Sequence, residues 1–141
     1  MICYAVIDTN VLISALLSSK DDAATVQVIS KVITGEISPV YSNIITKEYW
    51  EVLSRKKFKF PRETIEYLLS AIEKYGVAVE PSPSGVVLPD MKDLPFYEVV
   101  LEKREDNAYL VTGNIKHFPK EPFIVTPREL LNILNQNQKK S

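Results

Sequence analysis

Eight polar residues of this chain stand at the ends of apolar segments or inside one, in positions where they could do chemistry. They are Asp8, Thr9, Asn10, Glu48, Asp90, Asp93, Thr112 and Asn114. Carboxylates that are brought together repel one another, and hard cations such as Mg²⁺ or Mn²⁺ keep them ionised. If these acids meet in the fold, the sequence predicts a divalent-metal site.

Asp8 follows an apolar segment, residues 2–7, that is typical of a strand covered on both faces. Thr9 and Asn10 come next, and then the spacing of a helix begins. In open α/β sheets, ligands collect in the crevice outside the carboxyl ends of the strands. Asp8 is therefore a candidate site residue.

Glu48 lies on the same helical stripe as Ile44, Ile45 and Val52. Glu51 lies off that stripe, between Lys47 and Arg55, where exposed ion pairs are usual. An acid that faces inward is costly unless something compensates its charge, and a cation does so. The alternative is that Glu48 stands at the edge of the stripe and reaches solvent.

Asp90 and Asp93 follow a loop rich in proline and precede a helix, so either could cap that helix or approach Asp8 and Glu48. Asn114 is uncharged but could offer its carbonyl to a metal. His117, which has no acidic neighbour close in sequence, is more typical of a structural or surface group than of a metal ligand.

A basic cluster directly follows the helix of Glu48. Its cations are Arg55, Lys56, Lys57 and Lys59, with Phe58 and Phe60 between and after them. Such a segment could hold phosphates and stack the bases of an unpaired strand. It could equally be a solvated helix end whose phenylalanines pack inward.

Short apolar strands alternate with amphipathic helices along the chain, and this pattern predicts an α/β fold with a parallel sheet between helical layers. Strands are expected at residues 2–7, 38–41, 77–79, 108–111 and 123–125. Thr126, Pro127 and Glu129 form a capping-box pattern at the start of the last helix. The prediction is a three-layer α/β/α sandwich around four to five short parallel strands.

The composition limits the class of protein. The 141 residues carry 17 basic and 18 acidic side chains, which gives a formal net charge of -1. Because the molecule as a whole does not attract polyanions, a polyanion would have to bind a local basic patch. One cysteine excludes an intramolecular disulfide and cysteine-rich zinc sites. The sequence has no apolar run long enough to span a membrane and no signal-peptide pattern. We therefore expect a cytoplasmic protein that does not associate with a membrane. We expect one domain over residues 1–134 and a frayed polar tail over 135–141.

Four segments, in this order, resemble the PIN-domain nucleases, and in particular the bacterial and archaeal toxins of type II toxin–antitoxin pairs. They read VIDTNVLISAL (6–16), TKEYWEVL (46–53), DLPFYEV (93–99) and YLVTGNIKHFP (109–119). The resemblance implies a PIN-like sandwich and a metal-dependent endoribonuclease using Mg²⁺ or Mn²⁺. It also implies an antitoxin partner and a homodimer, which the apolar faces of the first helices and of residues 65–72 favour as well.

The resemblance assigns Asp8, Glu48 and Asp93 as the catalytic acids that bind the metal. Thr9, Asn10, Thr112 and Asn114 match positions that support those acids. Many PIN domains have an aspartate where this chain has Asn114, and losing that charge would weaken a second metal site.

Asn114 and Asn10 bear on two other functions. A binding module that holds RNA or a protein without cutting it is favoured by the uncharged Asn114. A phosphatase with Asp8 as nucleophile is disfavoured, because the haloacid-dehalogenase-like pattern has a second aspartate where Asn10 stands.

Overall fold

The centre of the fold is a parallel sheet of five strands. The structure is a computed structural model and describes residues 2–139. The strands are β1 (Cys3–Ile7), β2 (Ile37–Tyr41), β3 (Val77–Ala78), β4 (Tyr109–Val111) and β5 (Ile124–Val125). Their order across the sheet is β3-β2-β1-β4-β5, and every neighbouring pair is parallel. All five predicted strands are confirmed within one or two residues at each end.

Strand β1 occupies the middle of the sheet because it can be buried on both faces. Ala5, Val6 and Ile7 are completely shielded from solvent, as expected of a central parallel strand. Ile7 is in register with Val111 of β4. The residues that follow these two strands, Asp8 and Thr112, therefore leave the sheet side by side.

Six α-helices surround the sheet in the part of the chain that the structure describes. They are α1 (Thr9–Leu17), α2 (Ala24–Ile33), α3 (Asn43–Leu53), α4 (Arg62–Tyr75), α5 (Leu94–Glu102) and α6 (Pro127–Lys139). Helix α2 packs against α4 and α6, whereas α5 packs on β1, β2 and β4. Right-handed crossovers from β1 to β2 and from β2 to β3 put α1, α2 and α4 on one face, and the return to β4 puts α5 on the other. The predicted three-layer α/β/α sandwich is confirmed.

Helix α3 differs from the others because it contacts both helical layers. It packs against α1 and α4 on one side and α5 on the other. It begins directly after β2, where the Ser42 hydroxyl accepts a hydrogen bond from the Ile45 N–H at 3.3 Å. Helix α3 therefore starts at the carboxyl edge of the sheet and lies next to the ends of the strands.

Helix boundaries follow the capping signals. The Thr126 hydroxyl accepts from the Glu129 N–H at 3.1 Å, and the Glu129 carboxylate accepts from the Thr126 N–H at 2.9 Å. This reciprocal pair confirms the predicted capping box. Pro61 is the N-cap residue of α4.

Two expectations need correction. Ile44, assigned to the inward stripe of α3, has 64% of its surface exposed. The apolar stripe of α4 that supported a dimer is buried within the chain, where Ile65, Leu68 and Ile72 join the core. Helix α6 extends to Lys139, and residues 140 and 141 of the tail predicted over 135–141 lie outside the described part.

Among residues 2–139, no helix combines the length and the apolar character that crossing a membrane requires.

Candidate active site

Asp8 is a nearly buried carboxylate at the carboxyl end of β1. Only 5% of its surface is exposed. The Thr112 hydroxyl donates to Asp8 Oδ2 at 2.8 Å, and the Asn10 amide donates to the same oxygen at 3.2 Å. Asp8 Oδ2 accepts both hydrogen bonds, so Asp8 Oδ1 takes part in neither of them. The register of β1 with β4 brings Thr112 to this position.

The surroundings of Asp8 make its negative charge costly. Burial raises the pKa of Asp8 to about 6 from its usual 3.8. The hydrogen bond from Thr112 lowers that pKa, whereas the charges of Asp93 and Glu48 raise it further. A carboxylate in this state gains from a nearby cation.

Glu48 faces Asp8 from helix α3. The Thr9 hydroxyl donates a hydrogen bond to Glu48 Oε2. The next residue, Tyr49, is fully buried, and its hydroxyl donates to the Ile7 carbonyl oxygen at 2.5 Å. These two bonds connect α3 to Ile7 and Thr9, the residues directly before and after Asp8.

Glu48 also carries a raised pKa. Its main cause is burial, the Thr9 hydrogen bond lowers the pKa, and the charge of Asp93 raises it. Glu48 is half-buried, whereas Glu51 is exposed and lies 3.8 Å from Arg55. The predicted contrast between the two glutamates is confirmed, although the buried face of α3 is formed by Ile45, Tyr49 and Leu53.

The two aspartates before α5 have different roles. The Asp90 carboxylate accepts from the Lys92 N–H at 3.0 Å and so caps the short 3₁₀ turn Met91–Asp93. Asp93 stands at the N-cap position of α5 but makes no side-chain capping bond. Its Oδ2 instead lies 3.2 Å from Nδ1 of His117. Asp93, and not Asp90, therefore turns its carboxylate toward other segments.

The pKa of Asp93 is raised, chiefly by burial and then by the charge of Asp90, while the hydrogen bond and charge of His117 lower it. The charge of Asp93 in turn raises the pKa of both Asp8 and Glu48. The three predicted acids thus come within electrostatic range of one another.

A second set of hydrogen bonds joins the loops after β1 and β4. Asn10 Oδ1 accepts from the Gly113 N–H at 3.2 Å, and the Thr112 hydroxyl accepts from the Asn114 N–H at 3.0 Å. Asn114 itself is exposed and contributes its backbone to this network. Every buried side-chain nitrogen or oxygen in the described part of the chain has a hydrogen-bond partner, so the site is held in place by its own contacts.

Two residues of this site were not predicted from the sequence. Tyr49 fits an ordinary core position, and its spacing gives no sign that its hydroxyl reaches β1. His117 was expected to be a structural or surface group, and its side chain is 45% exposed. Its contact with Asp93 spans 24 residues of chain, a separation at which no local pattern operates.

The basic cluster lies beyond the end of α3. Arg55, Lys56, Lys57 and Lys59 are all exposed. The rings of Phe58 and Phe60 stack on each other with centroids 5.3 Å apart, and Phe60 also packs against the core. The charge of Arg55 lowers the pKa of Glu48, so this end of the cluster is within electrostatic range of the acids.

A cavity of about 450 Å³ lies between α3 and α4, away from the three acids. Its lining includes Trp50, Leu69 and the carboxylates of Glu51, Glu66 and Glu73. Its acidic groups make it an unsuitable place for a polyanion.

The chemistry of the three acids fits a hard divalent cation, because each carboxylate has a raised pKa and oxygen ligands are what Mg²⁺ and Mn²⁺ prefer. Within residues 2–139, however, no three His, Cys, Asp or Glu side chains form a group that could hold an ion by themselves. Mg²⁺ commonly uses one or two carboxylates and takes its other ligands from water and substrate phosphate. The residues therefore suit an open site of this kind.

Comparison with known proteins identifies the family. The model of the PIN domain family matches residues 4–116, most of the chain, and includes all three acids. No curated protein and no solved structure matches the chain. PIN domains are generally nucleases, and they typically use divalent metal ions. The parallel five-stranded sandwich, the acids at its carboxyl edge and the family match agree, and the chain belongs to the PIN-domain family.

Proposed function

We propose that this protein is a divalent-metal-dependent endoribonuclease that hydrolyses RNA phosphodiester bonds. The observation that carries the proposal is the convergence of Asp8, Glu48 and Asp93 from three distant segments, with Asp93 raising the pKa of the other two. Such a concentration of acid at a strand end is costly unless a cation offsets it. The nuclease activity general to the family gives that cation a use.

Asp8, Glu48 and Asp93 would hold Mg²⁺ or Mn²⁺. When bound there, such a cation would supply Lewis acidity to the phosphoryl oxygen, the attacking water and the leaving oxygen. Thr112 and Asn10 fix the Asp8 carboxylate through Oδ2, and Thr9 fixes Glu48. These contacts orient the acids before substrate arrives, which lowers the cost of reorganisation during the reaction.

RNA binding is assigned to the basic loop, which we define as Arg55–Lys59. One face of each phenylalanine ring is covered by the other, and the Lys57 ammonium lies 5.1 Å from the centroid of Phe58. RNA bases therefore cannot stack on the ring faces that are covered in this way. The exposed cations remain available, so the loop would bind backbone phosphates without reading the sequence.

The four matching segments also support the role of toxin in a toxin–antitoxin pair, acting in the cytoplasm with a cognate antitoxin protein. The second candidate is a weakly active or inactive PIN-like module that binds RNA or protein. It is favoured by the uncharged Asn114 and by the lack of a three-residue metal group among residues 2–139.

Cleavage and binding assays distinguish the nuclease from the binding module. The purified protein is incubated with Mn²⁺ or Mg²⁺ and with single-stranded or structured RNA. We expect Asp8→Asn to reduce cleavage to background while RNA binding persists, because the substitution removes the central charge but leaves the basic loop. Asp22→Asn, the same exchange at an exposed position, should cleave like the wild type. Binding without cleavage by the wild type would favour the module, and full activity of Asp8→Asn would exclude the nuclease assignment.

A further inference from the structure

His117 ends a short 3₁₀ turn, Ile115–His117, that follows β4. Its own N–H donates to the Asn114 carbonyl at 3.0 Å, and the Asn114 N–H bonds to Thr112 at the end of β4. The following residue, Phe118, is buried, with its ring centroid 6.5 Å from that of Tyr97 on α5. The backbone around His117 is therefore held between β4 and α5.

The Asp93 carboxylate does not cap α5. Asp93 has helical backbone angles, φ −82° and ψ −14°, whereas capping residues are extended, and Pro95 near the start of α5 has no N–H to donate. Asp93 Oδ2 instead lies 3.2 Å from His117 Nδ1. The Asp93 side chain is only 16% exposed, whereas that of His117 is 45% exposed. The imidazole thus contacts one oxygen of a largely buried carboxylate that makes no bond to its own helix.

We propose that His117 is a positioning residue for the metal site. Its Nδ1–H binds Oδ2 of Asp93 and fixes the orientation of that carboxylate, so that the second oxygen of Asp93 is presented to a cation shared with Asp8 and Glu48. Hydrogen-bond partners of metal ligands commonly change metal affinity by about 10- to 100-fold when they are removed. The inference rests on the proposed function, because it requires Asp93 to bind the metal.

The test measures Mn²⁺ binding to the full-length protein without RNA, by isothermal titration calorimetry or by the electron paramagnetic resonance of free Mn²⁺. We expect His117→Ala to weaken binding by roughly 10-fold or more. His117→Asn, whose amide can donate from about the position of Nδ1, should remain within about threefold of wild type. Lys116→Ala, the exposed neighbour, should bind like wild type, and circular dichroism verifies folding.

Asp93→Asn makes the possible failures distinguishable. If wild type and Asp93→Asn bind Mn²⁺ equally or not at all, the metal assignment itself is wrong and the proposed function fails with this inference. If Asp93→Asn loses binding but His117→Ala retains it, the metal site stands and the positioning role is overturned. Equal weakening by His117→Asn and His117→Ala in folded proteins would also overturn it, because the donated hydrogen bond would then not matter.

Discussion

At the scale of single residues, Asp8 shows how a proposed metal ligand opposes stability. Its carboxylate is 5% exposed and its pKa is raised to about 6 by burial, against which the Thr112 hydrogen bond acts. The sequence predicted Asp8 because a strand pattern ends there. It could not predict the size of the perturbation, since that depends on Thr112, Asp93 and Glu48, which are far away along the chain.

Replacement of Asp8 by asparagine is expected to stabilise the metal-free protein at neutral pH. The folded protein binds the Asp8 proton more tightly than the unfolded chain, so this residue's contribution to stability falls as pH rises from about 4 to about 6. Two pKa units correspond to about 3 kcal/mol at pH 7. The asparagine oxygen can still accept from Thr112 and Asn10.

Thermal unfolding in the presence of a chelator measures the effect. We expect Asp8→Asn to unfold several degrees above wild type at pH 7.5, with the difference vanishing near pH 4. Asp22→Asn should shift the midpoint little at either pH, because Asp22 is exposed. A difference that is independent of pH, or a less stable Asp8→Asn protein at pH 7.5, would show that the buried charge of Asp8 is not the cause.

At the scale of elements, helix α3 connects the acids to the basic loop. Glu48 lies in its middle beside the end of β1, and Arg55 follows its last turn. The amphipathic pattern around Glu48 predicted this helix. The position of the helix across both layers comes from packing against α1 and α5, and no periodicity within α3 specifies those partners.

Removing lysines from the basic loop should weaken RNA binding and reduce its salt dependence. For single strands, the slope of log K against log salt changes by about 0.7 for each phosphate contact. For a variant with Lys56→Ala, Lys57→Ala and Lys59→Ala, the slope should therefore be smaller in magnitude than that of the wild type by up to about 2. Fluorescence anisotropy with an unstructured RNA, in the Asp8→Asn background to prevent cleavage, measures it.

A charge-matched control is available on the other side of the fold. Lys31 and Lys74 lie in the last turns of α2 and α4, which lead into the amino ends of β2 and β3, and Lys20 lies beyond the far end of α1. Replacing these three lysines changes the net charge equally and should leave the slope unchanged. Equal slopes for both triple variants would place the phosphate contacts elsewhere.

At the scale of the whole molecule, the proposed homodimer has to use surface that the chain leaves uncovered. The stripe of α4 is buried internally, but Leu17 on α1 is 59% exposed and Ile13, one turn earlier, is half-buried. Together with Asn10, Ser14 and Ser18 they line a cavity of about 410 Å³. Uncovered apolar side chains one turn apart form a surface that a second copy could bury.

Sedimentation equilibrium should therefore give the mass of two chains for the wild type. Leu17→Glu should shift the protein toward the monomer, because a charge would have to be buried in the contact. Tyr67→Glu is the matched control, since Tyr67 is 63% exposed on α4, and it should remain dimeric. A monomeric wild type at micromolar concentration would reject the homodimer.

The amino-acid sequence by itself determined the elements and the candidate acids. Apolar periodicity, capping residues and turn residues act over a few positions, and they were sufficient for the five strands, the helices and the prominence of Asp8 and Glu48. The choice of Asp93 over Asp90 came from the resemblance of residues 93–99 to the PIN-domain nucleases. Tertiary structure alone decided the pairing of Asp8 with Thr112 and the inclusion of Tyr49 and His117. Those contacts depend on strand register and helix packing between segments far apart in the chain, which no local pattern encodes.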